Sequence, residues 1–153
     1  MGDCIFCAIL AGQAPASVVH QDDRALVILD LFPVHAGHAL IIPRHHCERV
    51  EDLPEADYDH LFRLGRQTIR ALGRAGLAAD AQNLLINNGP AANQHVPHVH
   101  LHVVPRAAGD GAATVWSWST RMLKRWSMNE KRRQLDQLAA RIKACFPEVQ
   151  DGQ

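Results

Sequence analysis

The strongest constraint on this chain is the segment His-Val-His-Leu-His-Val-Val at residues 98–104, where three histidines alternate with apolar residues. In a β-strand, alternate side chains share a face and lie about 7 Å apart, whereas a helix would spread the three histidines over about 200°. A common site for the histidines therefore requires a strand. We predict that this strand runs from Val96 to Val104 and is closed by Pro105. Its core face carries Val99, Leu101 and Val103.

Shorter patterns predict the other elements. Strands are expected at residues 17–21 and 25–30, joined by the Asp22-Asp23-Arg24 turn, and again at 39–43 and 83–88. Asp52-Leu-Pro-Glu55 resembles a capping box before an amphipathic helix, and Ser127-Met-Asn-Glu130 resembles the cap of a last helix. The apolar positions of the two helices are Tyr58, Leu61, Phe62, Gly65, Ile69, Leu72 and Gly76 in the first, and Leu135, Leu138 and Ile142 in the last. We predict an α+β fold with a five-stranded antiparallel sheet, one main helix and a C-terminal helical extension.

Composition and length favour a single globular unit that needs no disulfides, since 47% of the 153 residues are hydrophobic. No apolar run approaches the roughly 20 residues of a membrane span, and the first residues lack the features of a secretory signal. We therefore expect a cytoplasmic protein that does not engage a membrane. In a reducing compartment, the close pair Cys4 and Cys7 is more typical of a metal or redox site than of a disulfide.

Charge is unevenly distributed although the formal net charge is zero. Residues 121–143 contain eight Lys or Arg residues against Glu130 and Asp136. This pattern is typical of a solvated helix face, and it also suits a patch for a polyanionic ligand. In the second case, the basic residues and the tryptophans at 116, 118 and 126 would hold the part of a substrate beyond the reacting group.

A strand face with three histidines suits two kinds of chemistry. Histidines can hold a catalytic zinc ion that activates water, or a neutral imidazole can attack phosphorus while neighbouring donors bind the phosphoryl oxygens. The surroundings favour phosphorus, because Asn87, Asn88, Gln94 and the backbone N–H groups of residues 89–96 are suitable donors. No Asp or Glu within ten residues upstream of His98 offers a second shell for a catalytic zinc ion.

The motif resembles that of the histidine-triad family of nucleotide hydrolases and transferases, in which three histidines alternate with apolar residues. Further segments resemble family positions in family order: Cys4-Ile-Phe-Cys7, the Gln21-Asp-Asp23 turn, Asp30, Ile41-Ile-Pro-Arg-His-His46, Asn87 to Gly89, Gln94 and Val96. The resemblance covers roughly residues 3–106. It implies a nucleotide-binding domain at residues 1–110, followed by a basic helical extension at 111–153.

The resemblance also implies roles for individual residues. His100 is expected to be the nucleophile that attacks the α-phosphorus, and His102 is expected to hydrogen-bond the phosphate and the scissile side. Gln94 is expected to contribute to catalysis. The nucleotide contacts implied by the resemblance are Phe6 at the purine base, Asp30 at the ribose hydroxyls, and Asn87, Gln94, His102 and the Val96 amide at the phosphate.

For zinc-bearing members of the family, the resemblance implies a closed structural Cys₂His₂ zinc site formed by Cys4, Cys7, His46 and His98, although His45 beside His46 leaves the third ligand open. It also implies a homodimer that meets at the main helices and at the strand edges of residues 83–88. Independently, an exposed edge strand with the apolar sequence Asn-Leu-Leu-Ile is expected to be covered by a partner chain.

We therefore expect a purine nucleotide, AMP-like, as the substrate, with no specific nucleic-acid partner. The expected reaction is cleavage of nucleoside phosphoramidates or dinucleoside polyphosphates through a nucleotidyl-histidine. Where a phosphoramidate-hydrolysing branch has Ser or Thr after the loop glutamine, this chain has His95, which could protonate a leaving group or face solvent. Two alternatives are a zinc-activated-water hydrolase and a non-catalytic nucleotide-binding regulator.

Overall fold

Five antiparallel strands form one sheet in the order β1-β2-β3-β5-β4. The computed structural model describes residues 4–77, 81–120 and 128–147. The strands are β1 (Val18–Gln21), β2 (Ala25–Leu29), β3 (Ala39–Pro43), β4 (Ala81–Leu85) and β5 (Leu101–Arg106). The helices are α1 (Ile5–Leu10), α2 (Glu55–Arg74), α3 (Gly111–Thr120) and α4 (Met128–Lys143), with short 3₁₀ turns at Val50–Asp52 and Pro90–Ala92. The predicted α+β fold and the five-stranded antiparallel sheet are confirmed.

The central strands are buried on both faces. On one face, the alternate residues of β2, β3 and β5 form a large core with α2 and α4, and Leu101 and Val103 belong to this core as predicted. On the other face, Phe6 from α1 packs with Leu26, Ile28, Leu40 and Ile42. Since the register pairs Leu40 with His102, the histidine face is the one that α1 covers. All three triad histidines are buried as a result.

The β1–β2 hairpin forms the turn that the sequence predicts. The Oδ1 atom of Asp22 accepts hydrogen bonds from the backbone N–H groups of Arg24 and Ala25 at 2.9 and 2.8 Å. A side-chain oxygen bonded to the backbone two and three residues ahead is the usual reason for an aspartate at such a position.

Two of the predicted strands have wrong boundaries. The last strand begins at Leu101 instead of Val96, because the Val96 carbonyl accepts from the His98 N–H at 2.8 Å and the Val99 N–H reaches Cys47 O at 2.7 Å. It continues through Pro105, where the ladder with β3 has already ended and only β4 pairs. Strand β4 lies at Ala81–Leu85 instead of residues 83–88, so Asn87 and Asn88 belong to the loop that follows it.

Helix α2 lacks the predicted capping box. It begins at Glu55 after Pro54, with no side-chain cap, and Asp52 lies in the preceding 3₁₀ turn. The buried face carries Leu61, Leu64 and Leu72. Two aromatic residues assigned to the same apolar pattern, Tyr58 and Phe62, are 42% and 40% exposed.

The C-terminal helix α4 packs on the same core as the sheet. Leu135, Ala139 and Ile142 are buried there and Leu138 is partly buried, which confirms the predicted apolar stripe. Ser127, the predicted cap, lies outside the described residues. In the part of the chain that the structure describes, no helix combines the length and apolar character needed to cross a membrane.

Candidate active site and metal site

A cavity of about 370 Å³ opens where α1 meets the ends of β2 and β5. Its apolar wall includes Phe6, Ile28 and Leu40. The polar side chains in its lining are Asp30, Asn87, Asn93, His95, His100, His102 and Arg132. Six of the predicted catalytic and nucleotide-binding residues therefore meet in one cavity: Phe6, Asp30, Asn87, Val96, His100 and His102. Gln94 is the predicted residue that does not line it.

The tautomer of His100 is assigned from its hydrogen-bond partner. Its Nδ1 atom lies 2.8 Å from the carbonyl oxygen of His98, which can only accept a hydrogen bond, so Nδ1 carries the ring hydrogen. The Nε2 atom of the neutral ring then holds a lone pair. The Phe6 ring packs edge-on against His100 with the centroids 5.0 Å apart, which fixes the imidazole plane. Neutral His100 therefore carries an unprotonated Nε2 nitrogen.

A fourth histidine, His38, orients His102, and sequence reasoning missed it. The Val34 N–H donates to His38 Nδ1 at 3.2 Å, so His38 carries its hydrogen on Nε2, which lies 3.0 Å from His102 Nδ1. His102 Nδ1 therefore accepts, and its Nε2 carries a hydrogen. Because His102 lines the cavity, the neutral ring supplies a hydrogen-bond donor there. His38 reaches His102 because β3 pairs with β5, and this pairing cannot be read from the sequence alone.

Asp30 follows β2 directly and is held by the backbone. Its Oδ1 atom accepts from the Phe32 N–H at 2.9 Å, and its own N–H donates to His38 O at 2.9 Å. The second oxygen, Oδ2, lies 3.4 Å from His38 Nδ1. This arrangement fixes a carboxylate in the cavity wall, where it can accept hydrogen bonds from hydroxyl groups.

The loop between β4 and β5 is organised by its own amide side chains. Gln94 Oε1 accepts from the Gly89 N–H at 2.6 Å, and Gln94 Nε2 donates to Glu48 O at 2.9 Å. Gln94 does not line the cavity in this structure, so its predicted direct role stays a prediction. Asn88 is similarly engaged, since it accepts from the Val50 N–H and donates to Glu51. That bond lowers the pKa of the Glu51 carboxyl.

The loop turns at Gly89, whose φ of +96° favours glycine. A Cβ atom there would lie 2.4 Å from the guanidinium of Arg49. His95, whose role the sequence left open, is exposed and lines the cavity, which puts an imidazole at its open side.

A second cluster consists of four residues that do not line the cavity: Cys4, Cys7, His46 and His98. The Nδ1 atoms of His46 and His98 are 3.2 Å apart, Cys7 Sγ lies 3.3 Å from His46 Nδ1, and Cys4 Sγ lies 3.5 Å from His98 Nδ1. Tetrahedral zinc with two sulfur and two nitrogen ligands requires donor separations of about 3.3–3.8 Å. The donor set and its spacing therefore fit zinc, with His46 and not His45 in the group.

Hydrogen bonding and burial prepare His98 as a ligand. Its Nε2–H donates to Pro43 O at 2.9 Å, which leaves the Nδ1 lone pair facing the cysteines. Without a metal, burial and, to a smaller extent, the neighbouring histidines lower the pKa of His98 to about 4. Burial also raises the pKa of the Cys7 thiol, as does the adjacent Cys4. The cluster therefore favours neutral His98.

Comparisons with known proteins agree with this geometry. The model of the HIT domain family matches residues 11–109. The crystal structure of a zinc-bound histidine triad family protein from Mycobacterium smegmatis superposes with a TM-score of 0.70 at 36% identity, covering 93% of this chain and 96% of that one.

This chain belongs to the HIT family.

Its HIT relatives carry different names. An uncharacterized HIT-like protein of Methanocaldococcus jannaschii is 40% identical over 71% of this chain and 82% of its own length. An adenylylsulfatase of Arabidopsis thaliana is 34% identical over 94% of this chain and 67% of its own. An adenosine 5′-monophosphoramidase of Schizosaccharomyces pombe is 34% identical over 67% of this chain and 74% of its own. The alignment with the adenylylsulfatase extends into the C-terminal extension, because it spans 147 residues.

Proposed function

We propose that this HIT protein is a hydrolase or transferase that cleaves a bond at the α-phosphorus of a purine nucleotide through a covalent nucleotidyl-His100 intermediate. The observation that carries the proposal is the hydrogen bond from His100 Nδ1 to His98 O, which leaves a lone pair on Nε2 of a residue that lines the cavity. Nucleophilic catalysis by histidine needs such an unprotonated nitrogen beside donors for the phosphoryl oxygens.

The reaction has two displacements. In the first, the lone pair of His100 Nε2 forms a bond to the α-phosphorus, the bond from phosphorus to the leaving group breaks, and the leaving group departs with that electron pair and takes up a proton. In the second, water attacks the same phosphorus, loses a proton, and the bond to Nε2 breaks. His100 is thereby restored and the nucleoside monophosphate is released. An Nε2–H on His102 would donate to a phosphoryl oxygen in both steps.

The leaving group determines which substrate class is used. Nucleoside phosphoramidates and dinucleoside polyphosphates remain the proposed classes, and the relative named as an adenylylsulfatase adds adenylylsulfate as a third candidate. All three contain a nucleotidyl group, and the atom that departs from phosphorus is nitrogen in the phosphoramidates and oxygen in the other two classes. We propose that His95, at the open side of the cavity, protonates a basic leaving group such as an amine.

The rest of the site is proposed to bind the nucleotide and to hold the fold. Asp30 would accept the ribose hydroxyls, Phe6 would lie against the base, and Asn87 and the Val96 amide would bind phosphate, with Gln94 shaping their loop. Zinc bound by Cys4, Cys7, His46 and His98 would be structural, because four protein ligands leave no open position.

A homodimer is proposed from the uncovered apolar residues next to the edge strand. Strand β4 is at the sheet edge, and Leu84 on it is 38% exposed. Tyr58 and Phe62 of α2 are also exposed, with ring centroids 5.1 Å apart. A two-fold partner would cover this surface and add strand pairing at β4.

The boundary at residue 110 between the nucleotide-binding domain and the C-terminal extension stays a prediction. So does a cytoplasmic location.

A rival function would use a catalytic metal. Asp30, His38 and His102 offer ligand atoms within 4.8 Å of one another. A metal that used His38 Nε2 or His102 Nδ1 as a ligand would break the 3.0 Å hydrogen bond between these two atoms. A zinc-activated-water hydrolase would lose turnover when metal is removed and would form no nucleotidyl-histidine.

A turnover screen with a matched variant tests the proposal. Wild-type protein, His100→Ala and the surface control His45→Ala would be assayed with an AMP-amide, an AMP-lysine-type conjugate, diadenosine polyphosphates, nucleoside-diphosphate sugars and adenylylsulfate. We expect turnover of at least one class, loss of several orders of magnitude in His100→Ala, and wild-type rates in His45→Ala. AMP affinity should stay within about tenfold in His100→Ala, because most ground-state contacts remain.

Other outcomes would contradict the proposal. More than about a tenth of the wild-type rate in His100→Ala would remove the covalent mechanism. AMP binding without turnover of any substrate would favour the non-catalytic regulator.

A further inference from the structure

The C-terminal helix α4 places a cation in the wall of the cavity. Arg132 lines the cavity together with Asp30 and Phe32. Its Nη1 atom donates to Ser17 Oγ at 3.4 Å, and the Ser17 hydroxyl donates to Asp136 Oδ1 at 2.5 Å. The Ser17 carbonyl accepts from the Leu29 N–H, so Arg132 lies beside the end of β2 from which Asp30 follows.

The helix that carries Arg132 is anchored to the core. Leu135, Ala139 and Ile142 are buried within one to three turns of it. The neighbouring Lys131 extends over the Phe32 ring, with Nζ 4.6 Å from the centroid. The backbone of Arg132 is therefore held in a fixed position, which lowers the conformational entropy lost when the side chain binds a ligand.

The other polar side chains of the cavity fall into two groups. Among the polar lining residues that the structure describes, five belong to the segment 87–102, which is the proposed phosphate-binding part. Asp30 stands at the proposed ribose position. Arg132 is the one polar lining residue that remains. Its bond to Ser17 places it at the β1 side of the sheet, and β2 and β3 lie between that side and β5, which follows His100.

The chemistry of Arg132 selects what it can bind. A guanidinium has five N–H donors in a planar fork and no acceptor, so its partner must present hydrogen-bond acceptors. A phosphate group on the ribose hydroxyls would bring negative charge against the Asp30 carboxylate, which disfavours that partner. The base is the remaining part of a nucleotide, and a planar fork matches two adjacent acceptors on a purine edge.

We propose that Arg132 reads the N7 and position-6 edge of the purine base, which makes the C-terminal extension part of the specificity of the site. The inference rests on the proposed binding of a nucleotide in this cavity. Hypoxanthine and guanine present acceptors at both N7 and O6, whereas adenine presents N7 beside an amino donor. The contribution of Arg132 to affinity therefore increases with the number of acceptors on that edge.

Calorimetric titration of ground-state nucleotides tests this assignment independently of turnover. The ligands are IMP, AMP and 7-deaza-AMP, with adenosine 3′,5′-bisphosphate as a separate phosphate probe, and the proteins are wild type, Arg132→Ala, Arg132→Lys and Arg133→Ala. Arg133 is the matched control, because it is exposed on the same helix and pairs with Glu130. Thermal unfolding of each variant confirms that it is folded.

We expect Arg132→Ala to weaken IMP binding about tenfold and AMP binding about threefold, and to leave 7-deaza-AMP unchanged. Arg133→Ala should bind all three ligands like wild type. Arg132→Lys, which keeps the charge without the fork, should lose the preference for IMP over AMP. If Arg132→Ala is unstable, this lysine variant carries the test.

Three results would overturn the assignment. Equal losses on all three ligands would make Arg132 a structural residue. Arg132-dependent binding of adenosine 3′,5′-bisphosphate that is tighter than that of AMP would show that it reads a phosphate. Failure of wild-type protein to bind any of the nucleotides would remove the proposed function itself.

Discussion

Removing two ligands of the metal cluster tests whether zinc supports the fold or the chemistry. Zinc would join α1 through Cys4 and Cys7, the segment after β3 through His46, and the segment before β5 through His98. A metal present at about 1,000 times its Kd stabilises the folded state by about 4 kcal/mol. For a chain of this size, each kcal/mol corresponds to about 2–4 °C in Tm. We therefore expect Cys4→Ser with Cys7→Ser to lower Tm by about 8–16 °C.

The assay combines metal content, thermal unfolding and turnover. Wild-type protein should contain one zinc ion per chain by elemental mass spectrometry, and the double variant none. Cys145→Ser, which alters a cysteine outside the cluster, serves as the control. Below its Tm, the folded double variant should keep most of the wild-type kcat, with a modest loss because Phe6 of α1 packs on His100. Turnover that follows zinc occupancy while Tm stays constant would refute a structural role.

Three further predictions concern pH, the core and assembly. In metal-free protein, the pKa of His98 is about 4 when folded and 6.5 when unfolded, so its contribution to stability is complete above pH 6.5 and is lost as pH falls towards 4. Chemical unfolding should show about 2 kcal/mol lost by pH 5, and much less in His98→Asn. Ile142→Ala should lower the free energy of unfolding by about 2–5 kcal/mol in urea titrations, because Ile142 is fully buried. A change below about 0.5 kcal/mol would contradict the packing of α4 on the core. Light scattering should give twice the chain mass at micromolar concentration and the single-chain mass for Phe62→Glu, whereas a monomeric wild type would contradict the dimer.

The features that local interactions determine were predicted correctly from the sequence. The Asp22 turn follows from side-chain to backbone bonds within three residues. The burial of Leu101 and Val103 follows from their place on one face of β5, and Val99 just before the strand is buried in the same core. The strand start was wrong because the chain before Leu101 bonds to Cys47, which is distant in sequence.

The candidate site was only partly predictable for the same reason. The motif predicted the histidine face, yet His38 reaches His102 through the pairing of β3 with β5, which depends on the tertiary fold. The amide of Gln94 could bind phosphate, but in the structure its Nε2 donates a hydrogen bond to Glu48 O and does not face the cavity. Arg132 comes from a helix more than twenty residues beyond β5, and only the packing of α4 on β1 brings it to the cavity.

The stereochemical course at phosphorus tests the central claim most directly. A substrate with a chiral α-phosphorothioate would be hydrolysed in ¹⁸O-labelled water, and the configuration of the nucleoside phosphorothioate product would be determined. Two in-line displacements, by His100 Nε2 and then by water, predict overall retention of configuration. Inversion would mean a single direct attack by water, and it would contradict a nucleotidyl-His100 intermediate.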